Sequence, residues 1–287
     1  IRVDFREDNG RSKSYMAQKV NAFVFKDPVK IMLNIDAVTT HVIDSGCNGV
    51  RLHFHHTAEG KNYFLNTDGS FWRLMNNIPS IVFDACSDLQ VLEGVGRAFG
   101  QFQARLSDFD AARLYETIPD FHNMELRSRQ LKEAVANDAA GRVNDPEVQA
   151  ILKDLAEYDE EMCKAERLYR EGVLPKRICH CDTKVNNMMF DKEGNVLCVI
   201  DLDTTMPSFV FSDFGDFLRN AANTVAEDSP EVEKVAFKMD IFKAFAKGYI
   251  ESAACFLTPV EKENLPYAAL LFPYMQAVRF FADYING

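Results

Sequence analysis

Three oxygen-bearing side chains, Asp182, Asn187 and Asp201, fall in a segment that stands apart from the rest of the chain. Two short apolar runs, 187–190 and 196–200, flank the turn-forming stretch Asp191-Lys192-Glu193-Gly194-Asn195. A hairpin of that length carries its two ends back to one edge, so the three side chains are expected to share one cleft. A carboxylate that orients and deprotonates an attacking hydroxyl, beside oxygen ligands for magnesium on bridging phosphates, is the set that phosphoryl transfer needs. Positioning supplies much of the rate in such chemistry, about 7–11 kcal/mol by effective-molarity arguments. The plainer alternative, a surface turn, requires both apolar runs and both carboxylates to coincide by accident.

The elements around this segment divide into a β-rich first part and an α-rich second part. Residues 1–6 alternate apolar and polar before Asp8-Asn9-Gly10, and a second run follows at 15–20, which predicts a hairpin closed by a tight Asn-Gly turn. Residues 29–42 carry apolar side chains at helical spacing after Pro28. Alternation returns over 50–78, with Asp68-Gly69 as a turn, predicting the rest of a small antiparallel sheet. Ser87 is the expected cap of a helix through about Leu106, with Leu89, Leu92, Val95, Phe99, Phe102 and Leu106 on one stripe. Further helices are expected over 145–171, 239–252 and 265–285. The predicted class is α+β with two lobes, 1–78 and 79–287, joined near 75–80.

Composition limits the partners. The chain of 287 residues is 47% hydrophobic and 26% charged, with a net charge of -11. A field of that sign repels nucleic acid and anionic membrane surfaces, so neither is expected as a partner. An anionic ligand must then be met by locally gathered cations and by metal. Seven cysteines, odd in number and scattered, point to a reduced chain. With no long apolar run and no signal peptide, the expected location is the cytoplasm. Nothing in the sequence sets an oligomeric state. Cys179-His180-Cys181 and His53-x-His55-His56 contain zinc-type ligands but lack the four-ligand spacing of a closed site. The stripe Phe99-Phe102-Leu106 and the pair Phe242 and Phe245 read as core.

His180-x-Asp182-x-x-x-x-Asn187 followed by Ile200-Asp201-x-Asp203 resembles the catalytic loop and metal-binding segment of the aminoglycoside phosphotransferase and choline kinase group, distant relatives of protein kinases. The resemblance implies a protein-kinase-like two-lobed fold, Asp182 as base, Asn187 and Asp201 on the metal, and His180 steadying the loop. A narrower likeness, to the N-acetylhexosamine 1-kinases, runs through Tyr15 to Asn21, Glu116 to His122, His180 to Asn187, Ile200 to Thr204 with Met206-Pro207, Asp213-Phe214-Gly215-Asp216, and Arg279 to Tyr284. It implies ATP and magnesium as cofactors and the anomeric hydroxyl of N-acetylglucosamine or N-acetylgalactosamine as acceptor.

Further roles follow from the same likeness. Lys19 lies where such folds keep a phosphate-binding lysine, with Asp36 on the next helix as its candidate partner; their plainer reading is an exposed lysine and a solvated aspartate. Lys184 is a candidate for contact with the transferring phosphoryl group. Asp203, two residues beyond Asp201 on a short extended segment, either assists the metal or holds a sugar hydroxyl. His122, Arg127 and Arg279 are candidate sugar donors, while Asp213 and Asp216 are expected to brace the catalytic loop, since buried carboxylates must find donors.

Relatives carry a glycine-containing phosphate loop ahead of the part matching Ile1, so elements upstream of this sequence are expected. Phe121-His122-Asn123-Met124 also departs from the commoner Phe-His-Asp-Thr. Two other functions remain open at this point: a kinase of another small alcohol (aminoglycoside, choline or homoserine), and a pseudokinase-type nucleotide-binding module. Choline would call for an aromatic cage, to which the single Trp72 contributes little.

Overall fold

The structure, a computed structural model, describes residues 1–6, 10–46, 49–225 and 229–287. The alternating residues at the start form β1 (Arg2–Arg6), which pairs antiparallel with β2 (Ser12–Lys19) in the register Val3 to Tyr15. The expected turn residues Asp8 and Asn9 lie outside the described residues. Helix α1 (Pro28–Asp44) follows, capped by the Asp27 carboxylate on the Lys30 amide and buried along Ile31, Met32, Ile35 and Val38. Strands β3 (Phe64–Leu65) and β4 (Phe71–Asn76) complete a four-stranded antiparallel sheet in the order β1-β2-β4-β3. The alternating run around His53 and His55 was expected as strand. Instead it meets β4 only through a single bridge, Phe54 to Met75, with the Asn76 side chain accepting from the His53 amide at 2.7 Å.

The remainder is mainly helical: α2 (Leu89–Arg105), α3 (Met124–Asn137), α4 (Pro146–Met162), α5 (Lys164–Arg170), α6 (Phe211–Ala221), α7 (Met239–Ala253), α8 (Pro259–Glu263) and α9 (Leu265–Asn286). Short strands β5 (Arg177–Cys179) and β8 (Met206–Ser208) pair with each other, as do β6 (Met188–Phe190) and β7 (Val196–Val199), so the predicted catalytic hairpin forms. The cap of α2 is Asp88 rather than Ser87, because its carboxylate accepts from the Gln90 and Val91 amides. The single helix expected over 145–171 is broken at Cys163 into α4 and α5. Helices α2 and α7 pack backbone against backbone. A Cβ on Gly96 would lie 2.2 Å from the Phe245 carbonyl oxygen, and one on Gly248 would lie 2.0 Å from that of Glu93.

Two cores result. The larger lies among α2, α6, α7 and α9, with Phe217 stacked on Phe245 at 4.1 Å. The smaller joins α1 and β4 to Phe102 of α2, to Leu106 just past the end of that helix, and to Ile178 and Leu202, so it spans both parts of the chain. Asn34, buried on α1, fastens the same junction: its Nδ2 donates to the carbonyls of Tyr115 (2.8 Å) and Thr205 (3.1 Å), and its Oδ1 accepts from the Tyr115 amide. Just past β4, Ile81 exchanges two backbone hydrogen bonds with Phe190 of the catalytic hairpin. No helix among the described residues is long and apolar enough to cross a membrane.

Candidate active site

The loop between β5 and β6 carries Asp182, and its backbone is held by buried carboxylates from α6. Asp213 accepts from the His180 amide (3.0 Å) and the Cys181 amide (2.8 Å), and Asp216 accepts from the Thr183 amide at 2.9 Å. These are the bracing positions expected from the sequence. Burial raises both carboxyl pKa values, that of Asp216 to about 6, against the opposing pull of Arg219, which pairs with Asp216 at 3.0 Å. His180 is fully buried against the edges of Phe99 and Phe102; its Nε2 donates to the Ile200 carbonyl at 2.8 Å, and its Nδ1 accepts from the Asp182 amide at 3.3 Å. Histidine thus ties the loop carrying Asp182 to the strand end carrying Asp201. Two residues at this point hold left-handed backbone despite having side chains, Cys181 at φ 64° and Asp201 at φ 59°. Such strain costs on the order of 1–3 kcal/mol and gathers at functional sites.

Asp182, Asp201 and Asp203 line one cleft of about 220 Å³ together with Lys19, Asn21, Phe25 and Thr204. Asn187 stands behind it, with Nδ2 donating to the Asp182 carbonyl (2.7 Å) and to Asp182 Oδ2 (3.2 Å), so that its Oδ1 is the atom left to act as a ligand. Asp182 Oδ1 is met by Lys184 Nζ at 2.9 Å. Asp201 has a raised pKa, first because it is buried and next because Asp203 stands beside it, with Asp182 adding to the repulsion. A divalent cation would relieve that crowding. Among the described residues no group of three or more His, Cys, Asp or Glu side chains forms a metal cage. A two-oxygen set suits magnesium, which keeps several waters and takes substrate phosphates as ligands.

Two expectations change here. The Asp36 carboxylate is met by His56 Nε2 at 3.2 Å and not by Lys19, because it projects from α1 toward the loop after Phe54 while Lys19 faces the cleft. Asp203 sits on a single 3-10 turn, Leu202–Thr204, rather than on extended backbone, and its carboxylate is ion-paired to Arg73 of β4.

A second cleft, of about 240 Å³, opens on the other side of Asp182 and Lys184. His122 and Arg127, five positions apart, and the distant Arg279 all line it, with Arg219, Asn220 and Gln276. Arg127 Nη2 donates to the Phe121 carbonyl at 3.1 Å and Nη1 to Gln130 Oε1 at 2.9 Å. His122 contacts Ser212 Oγ through Nδ1 at 3.0 Å, and its pKa is pushed down to about 3 by burial and then by Arg127, Arg219 and Arg279.

Residues 32–245, about three quarters of the chain, match the APH phosphotransferase enzyme family. The chain belongs to that family. The phosphotransferase fold is also shared with solved structures at low identity. An amicoumacin kinase (hAmiN), in complex with AMP-PNP, Ca2+ and Ami, is 13% identical with a TM-score of 0.58, covering 99% of this chain and 84% of that one. The microcompartment-associated aminopropanol kinase is 13% identical with a TM-score of 0.56, covering 96% and 79%. An aminoglycoside phosphotransferase from Alicyclobacillus acidocaldarius subsp. acidocaldarius is 14% identical with a TM-score of 0.53, covering 98% and 89%. At these identities the likeness bears on the fold, and the protein-kinase-like two-lobed arrangement expected from the sequence is the one found.

Several residues of this phosphotransferase site escaped the sequence reading. Arg73 is an isolated arginine in a β-strand, and nothing local marks its partner 130 positions away. Gln103 of α2 donates to Asp213 at 2.7 Å and accepts from the Tyr249 hydroxyl, extending the loop's support into α7. A polar residue interrupting the apolar stripe of α2 was the available signal for Gln103. Arg219, three residues past Asp216, was legible only as an i,i+3 pair.

Proposed function

We propose that this phosphotransferase moves the γ-phosphoryl group of ATP to a sugar hydroxyl, the anomeric 1-OH of N-acetylglucosamine or N-acetylgalactosamine. One observation carries the reading: Asp182 lines both clefts, one holding Lys19, Asp201 and Asp203, the other holding His122, Arg127 and Arg279. A nucleotide on the first side and an acceptor on the second would meet at its carboxylate.

In this reading Asp182 orients the acceptor hydroxyl and takes its proton as the new O–P bond forms and the bond to the β-phosphate oxygen breaks, releasing ADP. Lys184, 2.9 Å from Asp182, faces the transferring group and holds Asp182 in place. Lys19 binds phosphate oxygens. Asn187 and Asp201 would hold magnesium, which when bound neutralises charge on the β- and γ-phosphates. His122, with its low pKa, stays neutral and offers a hydrogen bond to the sugar. The phosphotransferase family match supports the phosphoryl transfer, and the resemblance of six sequence segments to N-acetylhexosamine 1-kinases supports the choice of sugar. The arginines lining the acceptor cleft disfavour cationic acceptors such as aminoglycosides and choline.

The test is ADP release with N-acetylglucosamine, N-acetylgalactosamine and a panel of other alcohols, followed by phosphorus NMR of the product. Phosphate on the anomeric oxygen is expected. Bound ATP with no transfer to any acceptor would overturn the reading in favour of a nucleotide-binding module.

A further inference from the structure

We propose that the sugar accepted by this protein carries an anionic substituent, held by Arg127 and Arg279 in the acceptor cleft. This rests on the sugar kinase reading above and changes its acceptor from the neutral N-acetylhexosamine to a sugar bearing an added charged group.

A chain with a net charge of -11 has gathered four cationic side chains, Arg127, Lys184, Arg219 and Arg279, around one cleft. Two of them are neutralised within the protein: Lys184 pairs with Asp182 and Arg219 with Asp216. The other two have no carboxylate within ion-pair distance among the described residues. The Arg127 guanidinium donates only to neutral oxygens, of Phe121 and Gln130, and Arg279 lies over the ring of Phe280 at 5.5 Å. Asp120 and Asp283 stand farther off and favour the charged form of Arg127, while burial and the repulsion of Arg279 act against it, and the net effect is a lowered pKa.

Arg127 is half-buried and Arg279 exposed on the lining of one cleft, and like charges there without a paired carboxylate are unfavourable neighbours. An anion between them reverses that, because each guanidinium can present paired N–H donors to a carboxylate or phosphate. Neutral hydroxyl and acetamide oxygens accept hydrogen bonds from arginine but leave the charge repulsion in place. Burial, and after it the same positive field, keeps His122 unprotonated.

The experiment compares kcat/KM on the full chain for N-acetylglucosamine, glucose, glucuronic acid and N-acetylglucosamine 6-phosphate, all with a free anomeric hydroxyl. At least a tenfold preference for a charged acceptor over its uncharged counterpart is expected, and it should shrink as salt is raised from low to high ionic strength. A larger gain with the uronic acid assigns the anion as carboxylate; a larger gain with the 6-phosphate assigns it as phosphate; either supports the site. In Arg127→Gln and Arg279→Gln the charged-to-uncharged ratio should fall toward one, mainly through KM, and Arg279→Lys should restore part of it. Equal kcat/KM for charged and uncharged sugars, or variants that lower both alike, would overturn the proposal while leaving the sugar kinase reading intact. Failure to phosphorylate any sugar would overturn both.

Discussion

Arg73 of β4 forms a buried ion pair with Asp203, two residues beyond the candidate metal ligand Asp201. The side chains are 2% and 10% exposed, and Arg73 also donates to Gln18 Oε1 from Nε at 3.0 Å and from Nη2 at 2.8 Å. The pair joins the N-terminal sheet to the catalytic segment through one side chain. Replacing Arg73 by Met leaves the carboxylate buried without its charge partner, and a loss of about 3–5 kcal/mol in urea unfolding is expected. Arg73→Met combined with Asp203→Asn should recover part of it, giving a coupling on the order of 0.5–3 kcal/mol. Simple additivity would mean that the pair contributes nothing as a pair.

Asp182→Asn preserves the shape of the loop, since the Asn187 amide also bonds the Asp182 backbone carbonyl. Steady-state kinetics should show kcat reduced by about 10²–10⁴, the usual range for a positioned general base. Affinity for a fluorescent ATP analogue should stay close to that of the unaltered protein. Unchanged turnover would remove Asp182 from the role of base.

The close approach of α2 and α7 separates two glycines on neighbouring surfaces. Gly248→Ala forces a Cβ onto the Glu93 carbonyl oxygen and should destabilise by about 1–3 kcal/mol or more, because backbone cannot yield as a side chain can. Gly94→Ala meets only Val196 Cγ2 at 3.9 Å and should stabilise by about 0.5–1 kcal/mol through helix propensity. Thermal or urea unfolding of the two variants side by side tests the packing directly.

His122 links stability to pH. Its pKa is about 3 in the fold against 6.5 for the ordinary side chain, so between those values the unfolded chain binds the extra proton. Its contribution is therefore complete above pH 6.5 and falls as the pH drops below that, by about 1.4 kcal/mol per unit at most. His122→Gln should flatten the dependence between pH 5 and pH 7. Parallel curves for the two proteins would show that the imidazole titrates normally.

The hairpin, the helices at 28–44, 89–105, 239–253 and 265–286 and the order of the candidate site residues were legible in the chain, because Asp182, Asn187 and Asp201 lie within about twenty positions and period-2 and period-3.6 patterns are local; α3 and α6 were not anticipated. The departures share a cause. Asp88 takes the cap from Ser87 by the direction its carboxylate happens to point, and the His53 run fails as a strand because Asn76 substitutes a side-chain acceptor for a ladder bond.

What the sequence determined by itself was the chemistry: which side chains could carry phosphoryl transfer and which local elements present them. The tertiary structure alone decided which groups from different elements share a space: Arg73 with Asp203, His56 rather than Lys19 with Asp36, and His122, Arg127 and Arg279 with Asp182. Periodicity records which face of an element is buried but not which other element covers it. Pairings across a hundred residues therefore emerge only when the cores close.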